Sequence, residues 1–98
     1  QHVLKLLTII TESVLENKLS HDILELGAIG YTVSNVRGQG HRGVRNSAWE
    51  ASSNIKIEVV CTEETASKIM NHLKENFYDD YAMIMYLADV SVLRPEKF

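Results

Sequence analysis

One cysteine and one proline in 98 residues set the first limits on this chain. With Cys61 alone, neither an internal disulfide nor a cysteine-rich metal cage can form, which fits a reducing compartment. So little proline beside 45% hydrophobic residues leaves enough apolar material for a core and none of the bias of disorder. Aromatics make up 7% of the chain, and none falls in the strand-like stretches 3–11 and 54–62. A sheet that stacks RNA bases needs them there, so RNA binding of that kind ranks lowest among the function classes. Positive charge is not in excess either: 10 Lys+Arg against 13 Asp+Glu leave a net −3. That balance argues against a surface built as a whole for nucleic acid. No apolar run approaches the roughly 20 residues of a membrane-spanning helix, and the opening residues do not read as a signal segment. The expectation is a soluble, cytoplasmic, single domain over residues 1–98, with no function given to Gln1 and His2.

What is present is a clear succession of periods. Val3 to Thr11 is aliphatic and β-branched on both alternating faces, as in an interior strand. From Glu12 the period lengthens: Leu15, Leu19, Ile23 and Leu26 mark a helix, with Thr11 placed to cap it and Gly27 to stop it. Gly30 opens a second strand, GYTVSNV, which runs into a long loop without aliphatic period, Arg37 to Ser53. Asn54 to Thr62 alternates Ile55, Ile57, Val59 and Cys61 against Lys56, Glu58 and Val60, a third strand. Thr62 can cap a second helix, carried by Ala66, Ile69, Met70, Leu73 and Phe77 and ended by YDDY, and Met83 to Leu93 is a fourth strand, closed by Arg94-Pro95. The order βαββαβ predicts an α+β, ferredoxin-like fold, a four-stranded antiparallel sheet with two helices on one face. The helices can cover only one face, yet the first strand offers Leu4, Leu6 and Ile10 on one side and Val3, Leu7 and Ile9 on the other, which predicts a homo-oligomer with sheets turned inward.

Arg37 to Arg45 (RGQGHRGVR) is the segment with chemistry: its +3 leaves −6 on the rest of a chain whose net charge is −3. Gly38, Gly40 and Gly43 let the backbone turn sharply and bring N–H groups near an oxyanion, and Arg42 and Arg45 can fork onto phosphate or carboxylate oxygens. The competing reading is a solvated loop whose arginines do nothing specific. His41, between arginines, gains its imidazolium form beside a bound anion. Trp49 reads equally as a partner anchor or as a ring packed on its own protein. Asp79-Asp80 is a weak metal signal and no metal is expected; His21-Asp22 and His72 read as exposed polar helix faces, and Cys61 as core. No nucleophile stands near a base, and HxxxH and CxxC are absent, so the chain is read as a non-enzyme. An acylphosphatase-like small hydrolase shares the size and topology, but needs a cradle after the first strand, where Thr11-Glu12-Ser13 has neither glycine nor arginine.

GYTVSNV, the Gly/Arg stretch, the long loop and NIKIEVV together resemble the second strand, T-loop and third strand of the PII signalling superfamily. Gly30-Tyr31-Thr32-Val33-Ser34-Asn35, Gly38 with Gly40, Arg42 to Arg45, and Asp80-Tyr81-Ala82 are most similar to the PII-like branch tied to inorganic carbon. That branch holds SbtB-like bicarbonate-transporter regulators and carboxysome-associated PII proteins. The resemblance implies a homotrimer with a T-loop at about 37–53 and adenine nucleotides bound in clefts between subunits. Its phosphate contacts carry over to Gly38, Gln39, Gly40, Arg42 and Arg45, with Tyr81 and Ala82 lining the cleft and Arg94 reaching a neighbour's nucleotide. Asn54 stands where nitrogen-type PII proteins have a lysine, and YDDYA lacks their glycine-rich B-loop lysine. AMP, ADP or cyclic AMP therefore fits better than ATP with 2-oxoglutarate, and bicarbonate is the candidate second ligand, at Arg37, His41, Arg42 and Arg45. The implied partner is a bicarbonate transporter or a carboxysome-associated protein, met through the T-loop and Trp49, which would bring a cytoplasmic protein to a membrane or carboxysome. No tyrosine lies in 37–53 for uridylylation, and a C-terminal cysteine pair is absent.

Overall fold

The computed structural model describes residues 2–38 and 53–98. Along them run β1 (His2–Glu12), a 3-10 turn (Ser13–Leu15), α1 (Glu16–Glu25), β2 (Thr32–Val36), β3 (Asn54–Cys61), α2 (Glu63–Phe77), β4 (Met83–Val92) and a last 3-10 turn (Pro95–Lys97). The strands form one antiparallel sheet in the order β2-β3-β1-β4. This is the ferredoxin-like arrangement expected from the periods.

Local chemistry explains most boundaries. Thr62 ends β3 as the cap of α2, its side chain accepting from Thr65 N at 3.2 Å, with Glu63 and Glu64 in the positively polarised first turn. Gly27 stops α1 with φ +119°, a backbone conformation that side-chain-bearing residues avoid. One boundary differs from the periodic reading. Thr11 does not cap a helix: it and Glu12 extend β1, and no side chain caps α1. Thr11 is fully buried and its Oγ1 donates to the Ala82 carbonyl at 2.7 Å. A buried hydroxyl satisfied across the sheet outweighs a cap that solvent could replace.

The core lies between sheet and helices. Leu7 and Ile9 of β1, Ile55, Ile57 and Val59 of β3, Leu19 and Ile23 of α1, and Ala66, Ile69 and Leu73 of α2 are all fully buried. Each large aliphatic among them is stabilised by about 1.5–3 kcal/mol on leaving water. Cys61 completes the β3 row, and burial pushes its thiol up from the usual value, which makes it a packing residue rather than a nucleophile. The other face of the sheet is different. Register places Leu4 opposite Val90, Leu6 opposite Ala88 and Val60, Thr8 opposite Tyr86, and Ile10 opposite Ile84. Among the described residues no helix covers this row; Tyr86 is 50% exposed, and Ile84 and Ala88 are exposed too.

Candidate functional site

Antiparallel pairing brings four chain ends to one edge of the sheet. Register sets Glu12 of β1 and Val36 of β2 opposite Asn54 at the start of β3, and Thr11 opposite Met83 at the start of β4. Arg37 and Gly38, leaving β2, are exposed here. On the open face a cavity of about 290 Å³ lies against them, lined by Ile10, Arg37, Gly38, Asn54, Lys56 and Tyr86 among others. A shallower hollow on the helix side of the same edge is lined by Ser13, Asn35, Val36, Arg37 and Ser53. Arg37 thus borders both concavities. Among the described residues no heavy atom lies within 4 Å of the place a Cβ of Gly38 would occupy, and its φ is not in the left-handed region. Gly38 is therefore not held in a conformation that only glycine adopts readily. Gln39, Gly40, His41, Arg42, Arg45 and Trp49 lie outside the described residues.

The turn between α2 and β4 reaches the same edge. Tyr81 N donates to Phe77 O at 3.0 Å, and the Tyr81 ring packs on Phe77 with centroids 6.0 Å apart, so the ring is half-buried against the helix-side core. Ala82 is buried, its N–H donating to Glu12 Oε2 and its carbonyl accepting from Thr11 Oγ1, both at 2.7 Å. Arg94 is elsewhere. It is exposed beyond the far end of β4, and ten strand residues at about 3.3 Å each separate that end from the one holding Arg37. Within one protomer Arg94 does not reach the Arg37–Gly38 edge.

Sequence reasoning passed over two residues here. Lys56 reads as a solvent-facing position of an alternating strand, yet register sets it opposite Ile10 and it lines the cavity with Arg37. Only knowledge of the strand order could have found it. Glu12 reads as the first residue of a helix, and no local pattern announces that its carboxylate turns toward Ala82. The Thr11–Ser13 segment also fails as a cradle, because Ser13 N is already donating to Ser53 O at 2.7 Å.

A second polar cluster lies between the helices and corrects two expectations. Asp22 is buried, not an exposed helix-face residue, and His72 is half-buried; His72 Nε2 meets Asp22 Oδ2 at 2.8 Å, and Lys18 Nζ lies 3.1 Å from Asp22 Oδ1. Asn76 Nδ2 lies 3.3 Å from His72 Nδ1 and donates to the His72 carbonyl at 2.8 Å. Burial raises the Asp22 carboxyl, but the His72 hydrogen bond, with the hydrogen bond and charge of Lys18, holds it below its ordinary value of 3.8. A carboxylate lowered on folding contributes stability that is present above the unfolded value and lost as pH falls through the folded one. The stability gap between wild type and Asp22→Asn is therefore expected to be largest above pH 3.8 and to close below it. Thermal unfolding across pH 2–6 checks this, and parallel curves would refute it. Asp79 and Asp80 are both exposed, and among the described residues no three acidic, histidine or cysteine groups are placed to hold a metal.

Comparison with known proteins gives this geometry a context. The family model described as nitrogen regulatory protein P-II matches residues 4–97. A PII-like signaling protein from Thermus thermophilus is 44% identical, with a TM-score of 0.83 over 98% of this chain and 95% of that one. CPII from Thiomonas intermedia, in a structure bound to ADP and bicarbonate, is 25% identical with a TM-score of 0.85 over 99% and 95% of the two chains. The same protein bound to ADP, AMP and acetate gives 26% identity and a TM-score of 0.82 over 99% and 95%.

Proposed function

Because this chain belongs to the nitrogen regulatory protein P-II family, we propose that it is a non-enzymatic signalling protein that binds AMP, ADP or cyclic AMP in clefts between the subunits of a homotrimer. Proteins of this family are trimers that bind small-molecule nucleotides. The observation that carries the reading is the cavity on the open sheet face, where Arg37 and Gly38 meet the apolar row that a neighbouring protomer would cover. A nucleotide there has its phosphates at the Gly/Arg segment, Gly38, Gln39, Gly40, Arg42 and Arg45, and its other side at the Tyr81–Ala82 turn. The separation between Arg94 and that edge in one protomer fits a role for Arg94 in a neighbour's cleft. Bicarbonate would join at Arg37, His41, Arg42 and Arg45, as a compact anion suited to guanidinium forks. The ligand acts only as far as it prefers one state of the 37–53 segment over another, and that segment, with Trp49, then meets or releases its target.

ADP and bicarbonate bound to the Thiomonas relative support the ligand class. The target proposed is a bicarbonate transporter or a carboxysome-associated protein, reached from the cytoplasm; among the described residues no helix is long and apolar enough to cross a membrane. Titration of AMP, ADP, ATP and cyclic AMP, with and without bicarbonate, followed by Trp49 fluorescence and calorimetry, tests the reading. AMP or ADP is expected to bind a trimer, and ATP to gain nothing from 2-oxoglutarate. A monomer that binds no adenylate would overturn it.

A further inference from the structure

We propose that Glu12 is a positioning residue for the nucleotide site, acting through the backbone of Ala82; the inference rests on the reading above. Three consecutive residues, the last two of β1 and the first of the 3-10 turn after it, tie down two separate loops. Glu12 Oε2 accepts from Ala82 N, and Thr11 Oγ1 donates to Ala82 O, so both polar groups of that residue's backbone are held from one strand. Ser13 N then donates to Ser53 O, the last described residue before β3. The α2–β4 turn and the exit of the 37–53 segment, which the proposed ligand would meet from two sides, are therefore registered against the same short piece of chain.

The chemistry of Glu12 suits this task. It is 9% exposed, and a carboxylate placed so deep costs free energy that only good hydrogen bonds offset. A bond from a backbone N–H to an ionised carboxylate is short and roughly twice as strong as a neutral one. Ala82 in turn is 2% exposed, so without Glu12 its N–H has no water to turn to and the turn must shift to satisfy it. A ligand seated on that turn needs it in one place before binding, and preorganisation of this kind appears in affinity.

The test compares Glu12→Ala, Glu12→Gln and Thr11→Val in the full chain, measuring ADP affinity by calorimetry, Ala82 amide exchange by NMR, and oligomeric state. Glu12→Ala is expected to weaken ADP about tenfold and to raise Ala82 exchange. Glu12→Gln keeps an oxygen acceptor at the same reach and is expected to recover affinity to within about threefold of wild type. If Glu12→Ala does not fold, Thr11→Val removes the other tie at nearly constant volume and is expected to act in the same direction. Unchanged ADP affinity in the variants beside a binding wild type would overturn this inference alone, as would a loss in Glu12→Gln equal to that in Glu12→Ala. A wild type that ignores ADP would fell the functional reading and this inference with it.

Discussion

Arg42→Ala and Arg45→Ala are each expected to weaken AMP or ADP binding by about 1 to 3 kcal/mol, and the double variant to abolish it in the measurable range. The magnitude follows from what is removed, a charge-assisted and in part bidentate hydrogen bond to a phosphate, which exceeds a neutral bond in strength. Geometry supplies the control. Arg45→Lys keeps the charge but presents a point rather than a planar fork, so it should regain only part of the loss. A pure field effect would instead be restored in full by lysine and screened out by salt. Arg37, at the border of both concavities, is the reference position. Calorimetry showing wild-type affinity in both alanine variants would remove these arginines from the site and favour the reading of the segment as a solvated loop.

Ala88→Arg is expected to convert the assembly into monomers and to lose nucleotide binding with it. Ala88 stands in the middle of the open face, opposite Leu6 and exposed in the protomer. An arginine there meets water while the chain folds alone, so the protomer's own stability should change by no more than a few tenths of a kcal/mol, as surface substitutions usually do. Against a second copy the same guanidinium is enclosed by aliphatic side chains without a partner, a penalty of several kcal/mol per ion. Analytical ultracentrifugation and thermal unfolding separate the two effects. A trimer that survives Ala88→Arg would mean that the row Leu4, Leu6, Ile10, Ile84 and Val90 is not the surface that joins subunits.

How far the residues could be read in advance depended on the range of the force that places them. The alternation of Ile55, Ile57, Val59 and Cys61 named the buried row of β3 correctly, because a strand repeats every two residues and needs only its own pattern to define a face. Leu19, Ile23, Ile69 and Leu73 were equally legible. Thr11 was not. As a local signal a threonine before an acidic residue is a cap, and only the arrival of Ala82, 71 residues later in the chain, gave its hydroxyl a better use. Asp22 and His72 likewise read as solvent-facing until the two helices were laid side by side.

By itself the chain's order of residues determined the succession of strands and helices, the buried faces, the charge concentrated between 37 and 45, and the membership that its motifs announced. All of these are properties of neighbours in sequence, where period, cap and turn chemistry act within a few residues. The tertiary structure alone decided which distant groups share an edge: Glu12 with Ala82, Lys56 with Arg37, and Arg94 held at the far end of β4. Strand register fixes those meetings, and register is settled by packing the whole sheet against its helices, a sum over the fold that no single stretch of sequence contains.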